Sequence, residues 1–288
     1  MRLKMFRSLF GIAPKQETDG SFSPSTLALK LSTSDVTDYE HVPYTAYTGT
    51  RKKILVVFTE EKNMMMQNGK EFSTGNHPVE ALLPMLHLKN AGFEFEIATL
   101  SGKAVVFEMW AMPHGDAKVQ ELYEELKSRL EAPSPLQDVA DTFLDNISDY
   151  AAVFVPGGHG AMLGIPEDLK VGEILRTAHE QGLFTISLCH GPGSFLATAL
   201  DGQPFLYEGY NMAVFPDSVD KMTPMIGYLP GQMPWRLGEK LTELGAKIVN
   251  TKSDKTCVVD RHLITGASPL AANDLGKLAA TTMLEHLT

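Results

Sequence analysis

The sequence predicts an α/β fold whose mainly parallel sheet is covered by helices on both faces. Short runs rich in β-branched and aromatic residues, at 54–58, 150–155 and 184–188, have the length and composition of strands buried on both faces. Segments of helical period separate these runs, so strands alternate with helices. The carboxyl ends of such strands meet at one edge of the sheet, where we expect the functional site.

The predicted core begins after an arm that has neither helical nor strand period. Residues 16–50 are rich in Ser, Thr, Asp and Tyr, and we expect them to lie extended on the body or to be partly disordered. The strand at 54–58 leads into a loop over 60–76, and Pro78 suits the first position of the helix that follows. That helix repeats apolar residues at i, i+3, i+4 and i+7, and an alternating strand follows at 93–102.

The second half of the chain continues the alternation. Its predicted elements are a strand at 150–155, the turn PGGHG, a helix at 170–180, a strand at 184–188, a helix near 235–244, a hairpin at 256–265 and a last helix opened by Ser268-Pro269. This order again favours a parallel sheet with helices on both faces.

Residues 103–148 interrupt the alternation. They contain an aromatic loop, an amphipathic helix with Leu122, Leu126 and Leu130 on one side, and a linker before a further helical piece. The length of the chain suits one large core plus a smaller addition. We predict an N-terminal arm, 1–50, joining a small domain; a core of 51–102 and 149–288; and an insertion, 103–148, forming the small domain.

Composition and charge narrow the class of protein. The 288 residues include 25 basic and 35 acidic side chains, a net charge of −10, without a basic cluster, which argues against nucleic acid or an anionic membrane as the main partner. No apolar run approaches the ~18 residues that a membrane span needs. Two cysteines are too few for a disulfide framework and fit a reducing compartment. We therefore expect a cytoplasmic protein without a membrane partner.

The stretch Phe184–Leu200 combines a strand, a sharp turn and a helix around Cys189. In a nucleophile elbow of this layout, the side chain on the turn projects from the end of a buried strand, and the next helix directs its N-terminal amides towards it. The pattern indicates an accessible, reactive thiolate at Cys189, and the alternative is an inert cysteine that ends a buried strand. Cys257 alternates into the hairpin, and we assign it packing only.

The turn PGGHG, 156–160, is expected at the same edge of the sheet. Its two glycines let backbone N–H groups approach a ligand closely, so Gly157 or Gly158, with the amide of His190, could hold the negative charge of an attacked carbonyl. The turn lacks the spacing and the Lys-Ser/Thr pair of a nucleotide-binding loop. The alternative is a tight turn without a ligand.

Three acidic residues are candidates for proton transfer or orientation. Glu80 is the third helical residue after Pro78, and its simplest role is an N-terminal cap. Its second possible role is a carboxyl group beside the thiol, since a partly dry pocket raises a carboxyl pKa into the range that is useful for moving protons. His190 needs a third group to orient it, and either Asp217 or Asp220 could supply that group, although each also suits a solvated turn.

Together these residues carry a resemblance to a known family. The motifs FSTGNHPVE, WAMPH, VPGGHGA, SLCHGP, FPDSVD, IGYLPG and ITGASPLAANDLGKLAA run in order from about Lys52 to the C-terminus. The sequence resembles the HchA-type glyoxalase III and chaperone branch of the ThiJ/PfpI superfamily. The resemblance implies a homodimer with a flavodoxin-like sandwich, similar to class I glutamine amidotransferases, plus a small extra domain.

The resemblance also implies the roles of particular residues. It implies a Cys-His-Asp triad, a catalytic glutamate and oxyanion-hole glycines at Cys189, His190, Asp220, Glu80, Gly157 and Gly158. Asp217 is then the aspartate outside the triad.

The implied activity is glutathione-independent conversion of methylglyoxal to lactate, the reaction of a glyoxalase III type lyase, or D-lactate dehydratase. A related hydrolase activity, that of a deglycase, removes early glyoxal adducts from proteins or nucleotides. We expect a small 2-oxoaldehyde as the substrate, glycated or unfolded proteins as further partners, and no cofactor.

A metal-binding trio found in some members of the family is not matched. The positions that would be His, Glu and His are Lys89, Glu94 and Leu126. One carboxylate without imidazole partners does not make a zinc site. We therefore predict no metal at these positions.

Two other classes of function are compatible with the sequence. An ATP-independent holding chaperone of the stress response needs exposed apolar surface, which could come from Met64, Met65, Met66, Met222, Met225, Met233 and Trp235. The same residues could instead fill a small domain and a dimer contact. A cysteine peptidase or amidase fits less well, because no H-x-E pair follows Cys189 and the insertion at 103–148 is expected to restrict access to small substrates.

Overall fold

The computed structural model describes residues 11–287. Its strands, numbered along the chain, are β1 (Lys15–Gln16), β2 (Phe22–Ser23), β3 (Lys53–Val57), β4 (Asn63–Met65), β5 (Glu71–Ser73), β6 (Glu94–Thr99), β7 (Ser134–Pro135), β8 (Tyr150–Val155), β9 (Phe184–Leu188), β10 (Asn211–Met212), β11 (Lys247–Ile248), β12 (Cys257–Asp260) and β13 (Leu263–Gly266). Its α-helices are α1 (Thr26–Ser32), α2 (Pro78–Asn90), α3 (Ala117–Glu131), α4 (Leu136–Asp145), α5 (Leu169–Glu180), α6 (Asp217–Ile226), α7 (Leu237–Glu243) and α8 (Ala272–Leu287). Short 3₁₀ segments cover Met109–Ala111, Ile147–Asp149, His159–Met162, Ile165–Glu167, Gly191–Gly202 and Pro269–Ala271. Within residues 11–287, no helix has both the length and the apolar character needed to cross a membrane.

The central sheet confirms the predicted fold class. Its strands lie in the order β12-β13-β9-β8-β3-β6-β7, and the β12–β13 hairpin is its antiparallel part. In β3, Ile54 and Val56 belong to one apolar cluster and Leu55 and Val57 to another. Because successive side chains of a strand point to opposite faces, both faces of the sheet are buried.

Helices α2, α3 and α8 cover one face of the sheet, and α4, α5 and residues 191–202 cover the other. The contact between α2 and α8 depends on Gly276, where a Cβ atom would lie 2.7 Å from His87 Cδ2 and 2.9 Å from the Cα of Pro84. His87 itself is 2.9 Å from both Tyr44 Oη and Asn273 Oδ1. A buried imidazole with a partner on each nitrogen is satisfied, so His87 has a structural role.

Residues 103–148, predicted as a small domain, contact the core at two places. The short strand β7 extends the central sheet by pairing with β6. The apolar side of α3, with Leu122, Leu126 and Leu130, lies in the same cluster as α2. An amphipathic helix shows that one face is buried, but its sequence does not say against what.

A small second sheet instead joins the arm to the region predicted as a loop. Its order is β1-β2-β5-β4, and β4 and β5 form a hairpin with Met64 opposite Phe72, both fully buried. Asn68-Gly69 lies at the turn, and Gly69 has a φ of 75°. An Asn-Gly pair between alternating apolar residues is a strong hairpin signal that the loop interpretation overlooked. Residues 1–10 of the predicted arm lie outside the described residues.

The arm also contacts the helix that carries a candidate catalytic residue. Ser25 caps α1 by accepting from the Ala28 N–H at 3.1 Å, and its hydroxyl donates to Ile226 O at 2.7 Å. Because Ile226 is the last residue of α6, this contact ties the arm to the helix that bears Asp220.

Candidate active site

Cys189 occupies a strained turn directly after β9. Its φ is 57°, in the left-handed region that costs a residue with a Cβ roughly 1 kcal/mol or more. Two backbone bonds hold this conformation, because the Cys189 N–H donates to Gly266 O at 2.8 Å and its carbonyl accepts from the Phe215 N–H at 2.9 Å. The predicted strand and turn are present, and a 3₁₀ segment rather than a regular α-helix follows them.

The turn brings His190 back onto the preceding cysteine. The Sγ atom of Cys189 lies 3.3 Å from His190 Nδ1, and His190 Nε2 lies 2.8 Å from Asp220 Oδ2. All three side chains are buried. A thiol, an imidazole and a carboxylate in this order can pass a proton from sulfur to nitrogen.

The structure separates the two aspartates of FPDSVD. The Asp217 carboxylate accepts from the N–H groups of Gly238 at 2.9 Å and Glu239 at 2.8 Å, so it caps α7. Asp220 bonds His190 instead. Burial alone would raise the pKa of Asp220, but the charge of His190 and the hydrogen bonds from His159 and His190 outweigh it and hold this pKa well below its usual range.

Glu80 is fully buried and faces the Cys189 thiol and the Gly158 N–H. Neither carboxyl oxygen has a partner at hydrogen-bond geometry among residues 11–287. In the capping role, the Glu80 side chain would accept from the backbone N–H of His77. That N–H donates to Gly157 O at 3.0 Å instead. A buried carboxyl group without a partner is costly, so the arrangement favours the proton-transfer role over the cap.

Cys189 and Glu80 form a coupled pair. Burial raises the pKa of both groups well above their usual values, and the negative charge of Glu80 further raises the pKa of the thiol. Two adjacent buried anions are unfavourable, so the pair keeps a proton at neutral pH. This differs from the accessible, low-pKa thiolate predicted from the elbow, since the side chain is only 3% exposed. The sulfur attacks as a thiolate, so at that moment the shared proton lies on Glu80 or His190.

The two glycines of PGGHG are required by close packing around this pair. A Cβ on Gly157 would overlap Glu80 Oε2 and would lie 2.9 Å from the Cβ of Cys189. Gly158 has a φ of 102°, and a Cβ there would lie 2.5 Å from Gly75 O. The Gly158 amide faces the Glu80 carboxyl group. The oxyanion-hole role of both glycines stays a prediction.

Two buried residues of the site lie behind the triad and were missed in the sequence. His159 Nε2 lies 3.1 Å from Asp220 Oδ1, and the His159 and His190 ring centroids are 4.0 Å apart. Glu108 Oε1 lies 3.9 Å from His159 Nδ1 and accepts from the Thr74 hydroxyl at 2.8 Å. His159 is the histidine of PGGHG, but only the glycines of that turn were considered as functional. Glu108 lies in 103–148, which was predicted to form a small domain rather than part of the core.

One group of side chains in residues 11–287 is close enough to share a cation. It consists of His159, His190 and Asp220. Both imidazole Nε2 atoms lie 2.8–3.1 Å from the carboxylate, closer than the ~3.3 Å between neighbouring ligands of a tetrahedral zinc ion. These distances fit hydrogen bonds. At the family position predicted to lack metal, Lys89 pairs with Glu125.

The methionines considered as chaperone surface divide into two groups. Met64, Met66 and Met233 are buried in the apolar core. Met65, Met222 and Met225 are exposed. The apolar surface that these methionines offer is therefore smaller than the sequence suggests. The three buried methionines pack inside the protein.

His77 should make the stability of the protein depend on pH. Burial, with the neighbouring His159 and His190, lowers the pKa of His77 from 6.5 to about 3. The unfolded chain binds this proton below about pH 6.5 and the folded protein does not, so stability is complete above that pH and decreases as the pH falls. Between about pH 8 and pH 5, we expect the wild type to lose ~2 kcal/mol more unfolding free energy than His77→Asn.

Urea unfolding at a fixed protein concentration measures this difference. His41→Asn, which replaces an exposed histidine, should lose stability as the wild type does. An equal loss in wild type and His77→Asn would mean that His77 is protonated in the folded protein.

Comparison with known proteins adds a family match and curated relatives. A family profile described as the DJ-1/PfpI family matches residues 72–281. The protein/nucleic acid deglycase HchA of Escherichia coli O1:K1 / APEC is 48% identical over 266 residues, which cover 92% of this chain and 93% of the relative. Protein/nucleic acid deglycase 1 of Escherichia coli (strain K12) matches with the same identity and coverage.

Solved structures share the fold at lower identity. Glyoxalase III from Candida albicans matches with a TM-score of 0.62 and 22% identity, over 80% of this chain and 96% of that chain. The Rapid Encystment Protein 24 KDa of Francisella tularensis matches with a TM-score of 0.68 and 20% identity, over 81% of this chain and 99% of that chain. At these identities the likeness concerns the fold alone.

Proposed function

Since the chain belongs to the DJ-1/PfpI family, as its motifs predicted, we propose that it is a cysteine-dependent enzyme acting on 2-oxoaldehydes. Its proposed main reaction converts methylglyoxal to lactate without glutathione, and its related reaction removes early aldehyde adducts from proteins or nucleotides. The observation that carries the proposal is the buried Glu80 carboxyl group facing the Cys189 thiol, with His190 and Asp220 on the other side.

The first proposed step joins the thiol to the aldehyde. His190 Nδ1, 3.3 Å from Sγ, takes the thiol proton, and Asp220 stabilises the resulting imidazolium. The sulfur attacks the aldehyde carbon of methylglyoxal, and the carbonyl oxygen takes the proton back. The product is a hemithioacetal on Cys189, with backbone amides of 156–160 as candidate donors to the oxygen while it is charged.

The second proposed step moves hydrogen between neighbouring carbons. Glu80 removes the proton from the former aldehyde carbon, giving an enediolate, and returns it to the adjacent carbon. His190 moves the hydroxyl proton from the former aldehyde oxygen to the ketone oxygen. A carboxyl group suits both transfers when its pKa is near the working pH, and burial raises the pKa of Glu80 in that direction. The result is a thioester of lactate on Cys189.

Hydrolysis completes the proposed reaction. Water adds to the thioester, lactate leaves, and the thiol of Cys189 is restored. Overall, methylglyoxal and water give lactate. The aldehyde carbon is oxidised and the ketone carbon is reduced within the same molecule, so no external oxidant or reductant is needed. His190 takes a proton from the attacking water, and the departing sulfur recovers that proton.

The same thiol could begin removal of early adducts, as the names of the curated relatives suggest. An amine adduct of an aldehyde keeps a carbon that the Cys189 sulfur can attack, with the amine as leaving group. The thiol is only 3% exposed, however, so an adduct attached to a large molecule must reach a buried sulfur. This burial favours the free aldehyde as the better substrate.

Lactate formation by the purified full-length chain tests the proposal. We expect turnover of methylglyoxal with a chelator present and without glutathione, and faster turnover than release of aldehyde from a modified peptide. Release from the peptide without lactate formation would assign the deglycase reaction alone. If neither reaction occurs and the protein suppresses aggregation of an unfolded client, the holding-chaperone function replaces the enzymatic one.

A further inference from the structure

Asp220 is shared by two imidazoles. Its Oδ2 atom lies 2.8 Å from His190 Nε2, and its Oδ1 atom lies 3.1 Å from His159 Nε2. An ionised carboxylate only accepts, so both Nε2 atoms must carry hydrogen. Each neutral imidazole then has its lone pair on Nδ1, which faces the Cys189 thiol in His190 and Glu108 in His159.

His159 is enclosed by titratable groups from several elements. They are Asp220 on α6, His190 at the elbow, Glu108 before the 3₁₀ segment Met109–Ala111, His77 at the start of α2, and Tyr228. Its ring also packs against Phe72, with centroids 5.5 Å apart. The imidazole is only 4% exposed, so its polar contacts are with protein groups.

Glu108 is the second carboxyl group beside His159, with Oε1 3.9 Å from His159 Nδ1. Its side chain is 1% exposed, Oε1 accepts from the Thr74 hydroxyl, and Oε2 has no hydrogen-bond partner among residues 11–287. The backbone N–H of His159 also acts on this carboxyl group, so Glu108 contacts both the backbone and the ring of the same residue.

We propose that His159 and Glu108 are positioning residues for the triad. His159 donates to the Asp220 oxygen that His190 does not use, and Glu108 orients His159. The carboxylate cannot rotate away while both of its oxygens are engaged, so His190 keeps its hydrogen on Nε2 and presents Nδ1 to Cys189. The turnover measurement that tests this inference rests on the proposed function. The tautomers of His159 and His190 are tested by spectroscopy, which does not depend on that function.

Two replacements of His159 separate hydrogen bonding from packing. His159→Gln places an amide nitrogen where Nε2 lies and keeps a donor to Asp220, whereas His159→Phe keeps an aromatic ring and removes the donor. Loss of a hydrogen bond to a charged group predicts a kcat/KM about 10- to 100-fold lower for His159→Phe. We expect His159→Gln to stay within about threefold of wild type.

His179→Gln is the matched control. His179 lies in the last turn of α5, near the amino end of β9 and away from Cys189, and its Nε2 atom bonds Tyr210. The His179→Gln variant should leave kcat/KM and the spectra of His190 unchanged. If His159→Phe is as active as wild type, or more active than His159→Gln, the residue acts through packing and the proposal is wrong.

Nitrogen-15 spectra of the histidine side chains give a readout that does not need turnover. In the wild type, His159 and His190 should both be Nε2–H tautomers, and His159→Phe should give His190 a mixture of tautomers. A wild-type His159 with its hydrogen on Nδ1 overturns the proposal, even if no variant folds. If methylglyoxal is not a substrate but both tautomers are as stated, the proposed function fails and the positioning role stands.

Glu108→Gln tests the second half of the proposal. Burial raises the pKa of Glu108 to about 7, so its ionisation near neutral pH should change the chemical shifts of His159. The glutamine can still accept from Thr74 but cannot ionise, and we expect the pH response of His159 to be lost. An unchanged response in Glu108→Gln excludes Glu108 as the group that orients His159.

Discussion

Cys189→Ala is expected to form no lactate from methylglyoxal, a loss of about 10⁴-fold or more in kcat/KM. The sulfur forms the covalent bond on which each later step depends, and the methyl group of alanine cannot replace it. Alanine fits the space and tolerates a φ of 57° about as well as cysteine, so the variant should fold. Enzymatic determination of D- and L-lactate measures the effect, and circular dichroism verifies the fold.

Cys257→Ala provides the matched control. Cys257 is the other cysteine of the chain, is half-buried, and its Sγ atom lies 3.7 Å from Ala271 O. This variant should keep wild-type turnover. Lactate formation by Cys189→Ala at more than a few per cent of the wild-type rate would show that the thiol is not the nucleophile.

Glu80→Gln is expected to lower kcat by about 10³-fold or more while leaving the thiol reactive. Glutamine has the shape of glutamate but cannot take a proton from carbon, so the reaction should stop at the hemithioacetal. The negative charge of Glu80 raises the pKa of Cys189, and its removal should lower that pKa. Alkylation of Cys189 by iodoacetamide should therefore be at least as fast in Glu80→Gln as in wild type.

Mass spectrometry of the alkylated peptides separates Cys189 from Cys257 in this experiment. Glu96→Gln is the control, because Glu96 is a partly buried carboxylate that bonds the Tyr150 hydroxyl away from the site. Full turnover by Glu80→Gln would remove Glu80 from the proton transfer. Slow alkylation together with lost turnover would indicate damage to the site rather than a missing proton acceptor.

Elements with a local signal could be predicted from the sequence. The strands at 150–155 and 184–188 are apolar runs of strand length, and the helix from Pro78 begins with a residue suited to that position. The turn at Cys189 could also be predicted from a local signal, because an apolar run changes to a glycine-containing segment within a few residues. Such patterns need no knowledge of the rest of the chain.

Contacts between distant segments could not be predicted in the same way. The arm pairs through β2 with β5, about fifty residues later, and α3 packs in the same apolar cluster as α2. In both cases the sequence identifies an apolar face but not its partner, because many surfaces of similar polarity are available.

The sequence by itself determined the sheet, the turn that places one cysteine at its carboxyl edge, and the candidate residues Glu80, His190, Asp217 and Asp220. Tertiary structure decided that Asp220 bonds His190 whereas Asp217 caps α7, and that Glu80 faces the thiol. It also brought His159 and Glu108 behind the triad. Burial and the nearby Glu80 raise the pKa of Cys189, and these effects could not be predicted from the elbow because the groups packed around the thiol come from segments far apart in the chain.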